Sequence, residues 1–208
     1  MISELTARFP VHLRLKLWGV GLYIIAGAGY LMTRQWGADH GRTMPWTPFD
    51  LWVPEIPVLV WVYLVQLAVL GVPTWLMIDR ALLRAHLLGY VAINVIAIMT
   101  FVVLPTRVAP FEGGAGLLMY VRQWDGVGNA CPSLHAACVV YAALALPRAL
   151  PVTTWVMVLT WTWVALVLLA CLSLRQHSGY DLAAGVLLGV LADCGSRWWQ
   201  HRHGAVTT

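Results

Sequence analysis

Apolar runs about as long as a bilayer is thick, broken by short polar connections, leave this chain few folds to choose from. In hydrocarbon every backbone N–H and C=O needs a partner within the protein. Helices and closed barrels are therefore the structures that cross, and about 20 apolar residues make one helical crossing. Six runs fit that length, at about 17–32, 57–78, 87–104, 133–147, onward from the next turn to 173, and 179–199. The expected fold is an all-α, polytopic membrane protein: one domain over 1–208 built as a six-transmembrane-helix bundle. A core at about 85–199 follows an N-terminal two-helix segment at about 17–78. Pro73 should bend the second span by removing a helix hydrogen bond. Pro147 to Pro151 read as a tight turn, and Gly113, Gly114 and Gly116 as pliable points in the loop before 130.

Composition excludes a soluble domain, because 11% of residues are charged and 60% hydrophobic, where about 25% charged is usual. The net charge of +4 sits mostly at span ends, which reads as a topology signal and implies no nucleic-acid partner. Six spans leave Arg34, Arg42, Arg107, Arg122 and Arg175 on one side, and the remaining eight of the 13 Lys and Arg on the other. The richer side should be cytoplasmic, with both termini inside. Arg8, Arg14 and Lys16 before an apolar run resemble a signal peptide cut near Ala26-Gly27-Ala28. The run is long enough to span, so a retained first helix is the expectation. The four cysteines lack zinc-ligand spacing, leaving Cys138 and Cys194 as small apolar residues and Cys131 and Cys171 as a candidate disulfide. Trp18, Trp36, Trp198 and Trp199 suit interface belts.

Two polar islands stand at span edges: Pro132-Ser133-Leu134-His135 and Arg175-Gln176-His177-Ser178-Gly179-Tyr180-Asp181. Ionisable groups kept beside hydrocarbon are costly, and function is their default explanation. His177 and Asp181 are four apart, which on a helix stacks them on one face, where a carboxylate can fix the imidazole tautomer for nucleophilic attack. The same spacing also fits a plain helix-start ion pair. His135 could act as a general acid opposite it, or be an ordinary interface histidine. Ser133 begins a helix, where free N–H groups favour phosphate, and it is equally a good N-cap. Arg107, Arg175 and Arg122 fall on the same side, and their guanidiniums match phosphate oxygens or lipid headgroups. Together these residues suit phosphoryl transfer through a histidine, with no metal and no cofactor. Trp46, Trp52, Tyr120 and Trp124 are candidate lipid contacts at the entrance.

Pro132-Ser133-Leu134-His135 resembles the Pro-Ser-x-His signature of the type 2 phosphatidic acid phosphatase (PAP2) superfamily. His177-Ser178-Gly179-Tyr180-Asp181, followed by Leu182-Ala183-Ala184-Gly185, resembles its His-x-x-x-Asp signature, and Pro105-Thr106-Arg107 stands where a first signature belongs. The resemblance covers about 85–195. It implies a six-helix membrane core and a two-step mechanism on a lipid phosphate. His177 would become a phosphohistidine oriented by Asp181, and His135 would protonate the leaving group and then activate the acceptor. Arg107, Arg175 and Ser133 would hold the phosphoryl oxygens, with Arg122 as a further candidate. Two departures stand out. Ala109-Pro110 replaces an expected Arg-Pro, and Cys171 occupies the position of an arginine six residues before the histidine, with Arg175 two before it instead. Both lie closer to the branch containing inositol-phosphoryl and other lipid phosphotransferases.

The expected activity is therefore a lipid phosphatase at the outer face of a cytoplasmic membrane. A phosphotransferase acting on a lipid hydroxyl is the nearest alternative. A membrane protein binding haem between His135 and His177 is an alternative of another class, although it gives Ser133, Asp181 and the arginines no role. A transporter is disfavoured because few ionisable residues lie mid-span.

Overall fold

The computed structural model describes residues 2–109 and 116–204. Pro110, Gly113 and Gly114 of the loop discussed above lie outside the described residues. Short α1 (Ile2–Arg8) leads into α2 (Leu13–His40). Strand β1 (Arg42–Met44), α3 (Pro48–Trp52) and a 3-10 turn (Pro57–Leu59) then run into α4 (Val60–Val69) and α5 (Val72–Leu76). Next come α6 (Arg80–Val103), β2 (Thr106–Val108) and α7 (Leu117–Asp125). Three helices close the chain: α8 (Leu134–Ala149), α9 (Thr154–Ser173) and α10 (Gly179–Gly204). The six expected runs are thus α2, α4 with α5, α6, α8, α9 and α10. Among the described residues four segments are long and apolar enough to cross a membrane, at Leu13–His40, Pro57–Leu76, Arg80–Val103 and Thr154–Ser173.

Several boundaries differ from the sequence reading. Residues 33–40, read as loop, extend α2 by two turns. The second run breaks after Val69, four residues before Pro73. That is where the proline ring crowds a carbonyl and withholds an N–H. Pro147 lies inside α8, so the turn begins after Ala149. Among the described residues the regular structure is helical apart from β1 and β2, which pair in parallel with Thr43 opposite Arg107 and so tie the end of α2 to the end of α6. The loop before 130 also holds α7, an amphipathic helix that the sequence reading passed over.

Helix α8 is the hub. Residues 136–143 are all buried, so this helix needs no lipid-facing side. Its alanines let α10 approach closely. A Cβ on Gly189 would stand 2.5 Å from the Ala137 carbonyl oxygen, and one on Gly185 would stand 2.9 Å from Ala136 Cβ. Small residues at such crossings let backbones pack where a hydrophobic driving force between helices is absent. Large apolar side chains instead cover the outer faces of α2 and α9, where Ile24, Ile25, Met32, Trp155 and Leu159 are exposed. At the end of the bundle away from the polar islands, Asp193 pairs with Arg148 and, at 2.7 Å, with Arg197.

Candidate active site

Both islands begin helices, and local chemistry fixes where. Ser133 is the N-cap of α8, its Oγ accepting from the Ala136 N–H at 3.3 Å. Ser178 and Asp181 form a reciprocal start to α10: the Ser178 N–H donates to Asp181 Oδ2 at 2.8 Å, and the Asp181 N–H reaches Ser178 Oγ at 3.4 Å. A Ser-x-x-acid pair satisfies two otherwise orphan donors this way. The two helix starts are joined where the Ser133 N–H donates to the Asp181 carbonyl at 3.0 Å.

His177 therefore precedes the helix instead of sitting on it. Helix α9 ends in paired bonds, from the Gln176 N–H to Cys171 O at 3.1 Å and from the Arg175 N–H to Leu172 O at 3.0 Å. Arg175 takes the left-handed position, φ 56°, usually left to glycine. This reversal swings His177 back over the bundle, 3% exposed, with its ring centroid 5.8 Å from that of His135. His177 Nδ1 lies 3.0 Å from the Ala130 carbonyl and 3.9 Å from Asp181 Oδ2. The tautomer is thus fixed mainly by Ala130, because the carboxylate expected to do so is committed to capping α10. Nδ1–H donates to a carbonyl, and Nε2 carries the free lone pair. Burial pushes the His177 imidazole down to about 4, against the charge of Asp125 and the Ala130 carbonyl, which both raise it.

The Ala130 carbonyl is itself held by β2. The Ala130 N–H donates to Thr106 O at 3.3 Å, and the Cys131 N–H to Thr106 Oγ1 at 2.8 Å. The stretch Pro105-Thr106-Arg107 thereby supports the backbone beside His177. The Arg107 guanidinium turns toward α2, donating to Ala38 O at 3.0 Å and Thr43 Oγ1 at 3.1 Å. Arg122, on α7, donates to the Leu174 carbonyl at 3.1 Å and to Glu55 at 2.7 Å. Arg175 donates to the carbonyls of Asp50 and, at 2.8 Å, Val53, and lies 5.6 Å from the Trp46 ring centre. The structure thus brings His135, His177, Asp181 and Ser133 together, and it places the three guanidiniums around them, on β2, on α7 and on the connection between α9 and α10.

Other functional groups escaped the sequence reading. Asp50 is fully buried. Its carboxylate accepts from the Thr47 N–H at 2.7 Å and from the Gly179 N–H at 3.0 Å, so one acid caps α3 and α10 together. The Thr47-x-x-Asp50 spacing with Pro48 at the first position was a legible signal for the first cap. Buried Asp125 accepts from Tyr30 at 2.8 Å and from Tyr63, whose ring stacks on His135 with centroids 4.2 Å apart. Asp125 closes α7 just before Gly126, beside a polar island, but nothing in the sequence pairs it with tyrosines from α2 and α4. Trp52, Tyr120 and Trp124 are exposed. All four cysteines are free, and among the described residues no group of three or more His, Cys, Asp or Glu could hold a metal ion.

A family model described as PAP2 superfamily matches residues 105–205, a stretch that includes both islands. No curated protein and no solved structure matches the chain.

Proposed function

The chain belongs to the PAP2 superfamily of phosphatases and phosphotransferases, and on that premise we propose that it is a membrane lipid phosphatase working through a phosphohistidine. The observation that carries this reading is the facing pair of histidines, 5.8 Å apart between ring centroids. In His177, Nδ1 is occupied by a backbone carbonyl, which leaves Nε2 as the nucleophile.

His177 Nε2 attacks phosphorus as the bond to the lipid oxygen breaks, and His135 gives that oxygen a proton. In the second step His135 takes a proton from water, whose oxygen attacks the phosphohistidine and releases inorganic phosphate. General acid–base help of this kind contributes about 10²–10⁴-fold. The Ser133 Oγ accepts the Ala136 N–H, so its own O–H remains to donate to a phosphoryl oxygen. Arg107, Arg122 and Arg175 are the cations for the remaining oxygens. The backbone carbonyls that Arg107 and Arg175 donate to are neutral, and a phosphoryl group offers charge-assisted bonds about twice as strong, whereas Arg122 already holds the Glu55 carboxylate. Asp181 holds the loop that presents His177. The substrate is a phospholipid, an isoprenyl phosphate or diphosphate, or a lipid A-like phosphate. The basic-residue count supports a cytoplasmic membrane with both termini inside and the histidines at the outer face. A lipid hydroxyl as acceptor is the second reading, favoured by Cys171 and Arg175 standing where the phosphatase pattern differs.

The test is phosphate release from a panel of these lipid phosphates with chelator present, for wild type and His177→Ala. Release that persists with chelator and disappears in the variant is expected. Equal release by the variant would remove His177 from the reaction. No release by a folded wild type would favour the transferase, to be pursued with acceptor lipids.

A further inference from the structure

Asp125 is a buried carboxylate at the site end of the bundle that takes no part in the reaction steps above. It closes α7, is 5% exposed, and spends each oxygen on a phenol: Tyr30 from α2 donates to Oδ1 at 2.8 Å, and Tyr63 from α4 donates to Oδ2. An ionised carboxylate accepts only, so the Tyr63 hydrogen is committed to Asp125 and the Tyr63 oxygen is left as an acceptor. That oxygen lies 3.5 Å from His135 Nδ1, at the outer limit for a hydrogen bond, and the two rings stack with an interplanar angle of 24°. A buried charge tied to one member of a catalytic pair, through residues from three separate elements, calls for a role.

We propose that Asp125, acting through Tyr63, is the positioning group for His135, holding its proton on Nδ1 and its basic Nε2 toward the phosphoryl site. The inference rests on the reading of His135 as the proton-transfer residue. Nδ1–H stays in place through both steps. The imidazolium gives its Nε2 proton to the leaving oxygen, and the neutral ring takes one back from water at the same nitrogen. Asp125 stabilises the cationic form across the phenol, and Tyr30 keeps the carboxylate from turning away. The titratable and charged groups around this unit are Tyr30 and Arg34 of α2, Tyr63 of α4, Cys171 of α9, and His177 before α10. Asp181 lies behind His177, its Oδ2 3.9 Å from Nδ1 and bonded to the Ser178 N–H.

The tautomer is read directly by nitrogen-15 NMR of histidine-labelled protein in micelles, with the His135 signal assigned by its loss in His135→Ala. Wild type should show the Nδ1–H form, and Tyr63→Phe and Asp125→Asn should each shift it toward the Nε2–H form. An Nε2–H signal in wild type, or an unchanged signal in both variants, overturns the proposal. Kinetics on phosphatidic acid in mixed micelles supply the functional arm. Each variant should lose about 10²-fold in kcat, the low end of what acid–base catalysis supplies, with KM unchanged and the alkaline limb moved to lower pH. On a His135→Ala background Asp125→Asn should cost nothing more, because groups acting as a unit are not additive. A further loss there would mark a merely structural role and refute the inference. Failure of wild type to hydrolyse phosphatidic acid would bear on the lipid-phosphatase reading, while the NMR result decides this one.

Discussion

Replacing Gly185 by alanine puts one methyl group into the crossing of α8 and α10, directly below the histidine pair. The added Cβ would run into the Ser133 carbonyl oxygen, 3.2 Å from its carbon and 2.9 Å from Ala136 Cβ. Ordinary contact begins near 3.4 Å, and backbone cannot swing aside as a side chain can, so the helices must part by on the order of 1 Å. Overpacking of this kind costs about 1–3 kcal/mol, while exchanging glycine for alanine inside a helix returns about 1 kcal/mol. The net loss of stability should therefore be at most about 2 kcal/mol. The rate should suffer far more. Ser133 begins the helix carrying His135, and its N–H is bonded to the Asp181 carbonyl, so the displacement is delivered to both sides of the site. A misplacement of about 1 Å can cost about 10²-fold in rate. The assay is phosphate release in micelles alongside thermal unfolding of the same samples. Gly195→Ala is the control, since nothing lies within 4 Å of its Cβ on the same helix, and it should keep the wild-type rate. A Gly185→Ala protein that folds and turns over at the wild-type rate would show that this crossing does not set the geometry of the pair.

Two further outcomes follow from the same geometry. Burial holds His177 at about 4, so the nucleophile is neutral above that pH, and the acid limb of kcat/KM should fall near pH 4 instead of the usual 6.5. Between those values the unfolded chain binds the extra proton. Stability from this group is therefore complete above about pH 6.5 and is lost as pH falls toward 4, which thermal unfolding across that range would record. Asp50→Ala leaves the Thr47 and Gly179 N–H groups without their carboxylate, at a cost of about 2 kcal/mol. Chemical denaturation should show that loss, and kcat should fall with it because the start of α10 anchors the His177 loop. A variant with unchanged stability would mean that neither cap matters.

The helices and the two islands were legible because their causes are local or nearly so. Spans follow from runs of apolar residues, and α8 and α10 start where Ser133 and Ser178 supply caps. The close crossing is written in Gly185, Gly189 and the alanines facing them. What the His-x-x-x-Asp spacing could not say is which partner wins the imidazole. Sequence offers Asp181, yet the carboxylate is consumed by the helix it begins, and a carbonyl 47 residues away takes Nδ1. The arginines are similar. Their charge and side were readable, but their carbonyl partners come from α2, α3 and the α9 terminus.

By itself, then, the sequence determined that this chain is helical, lies in a membrane and carries two histidine motifs, since hydropathy and capping act over a few residues. The tertiary structure decided which atom of each histidine is free, which acid caps which helix, and that Asp125 meets Tyr30 and Tyr63. Those outcomes depend on groups 62 and 95 residues distant. Hydrogen bonds are short-ranged and directional, so such partnerships exist only once packing has brought the elements within 3 Å or so of one another.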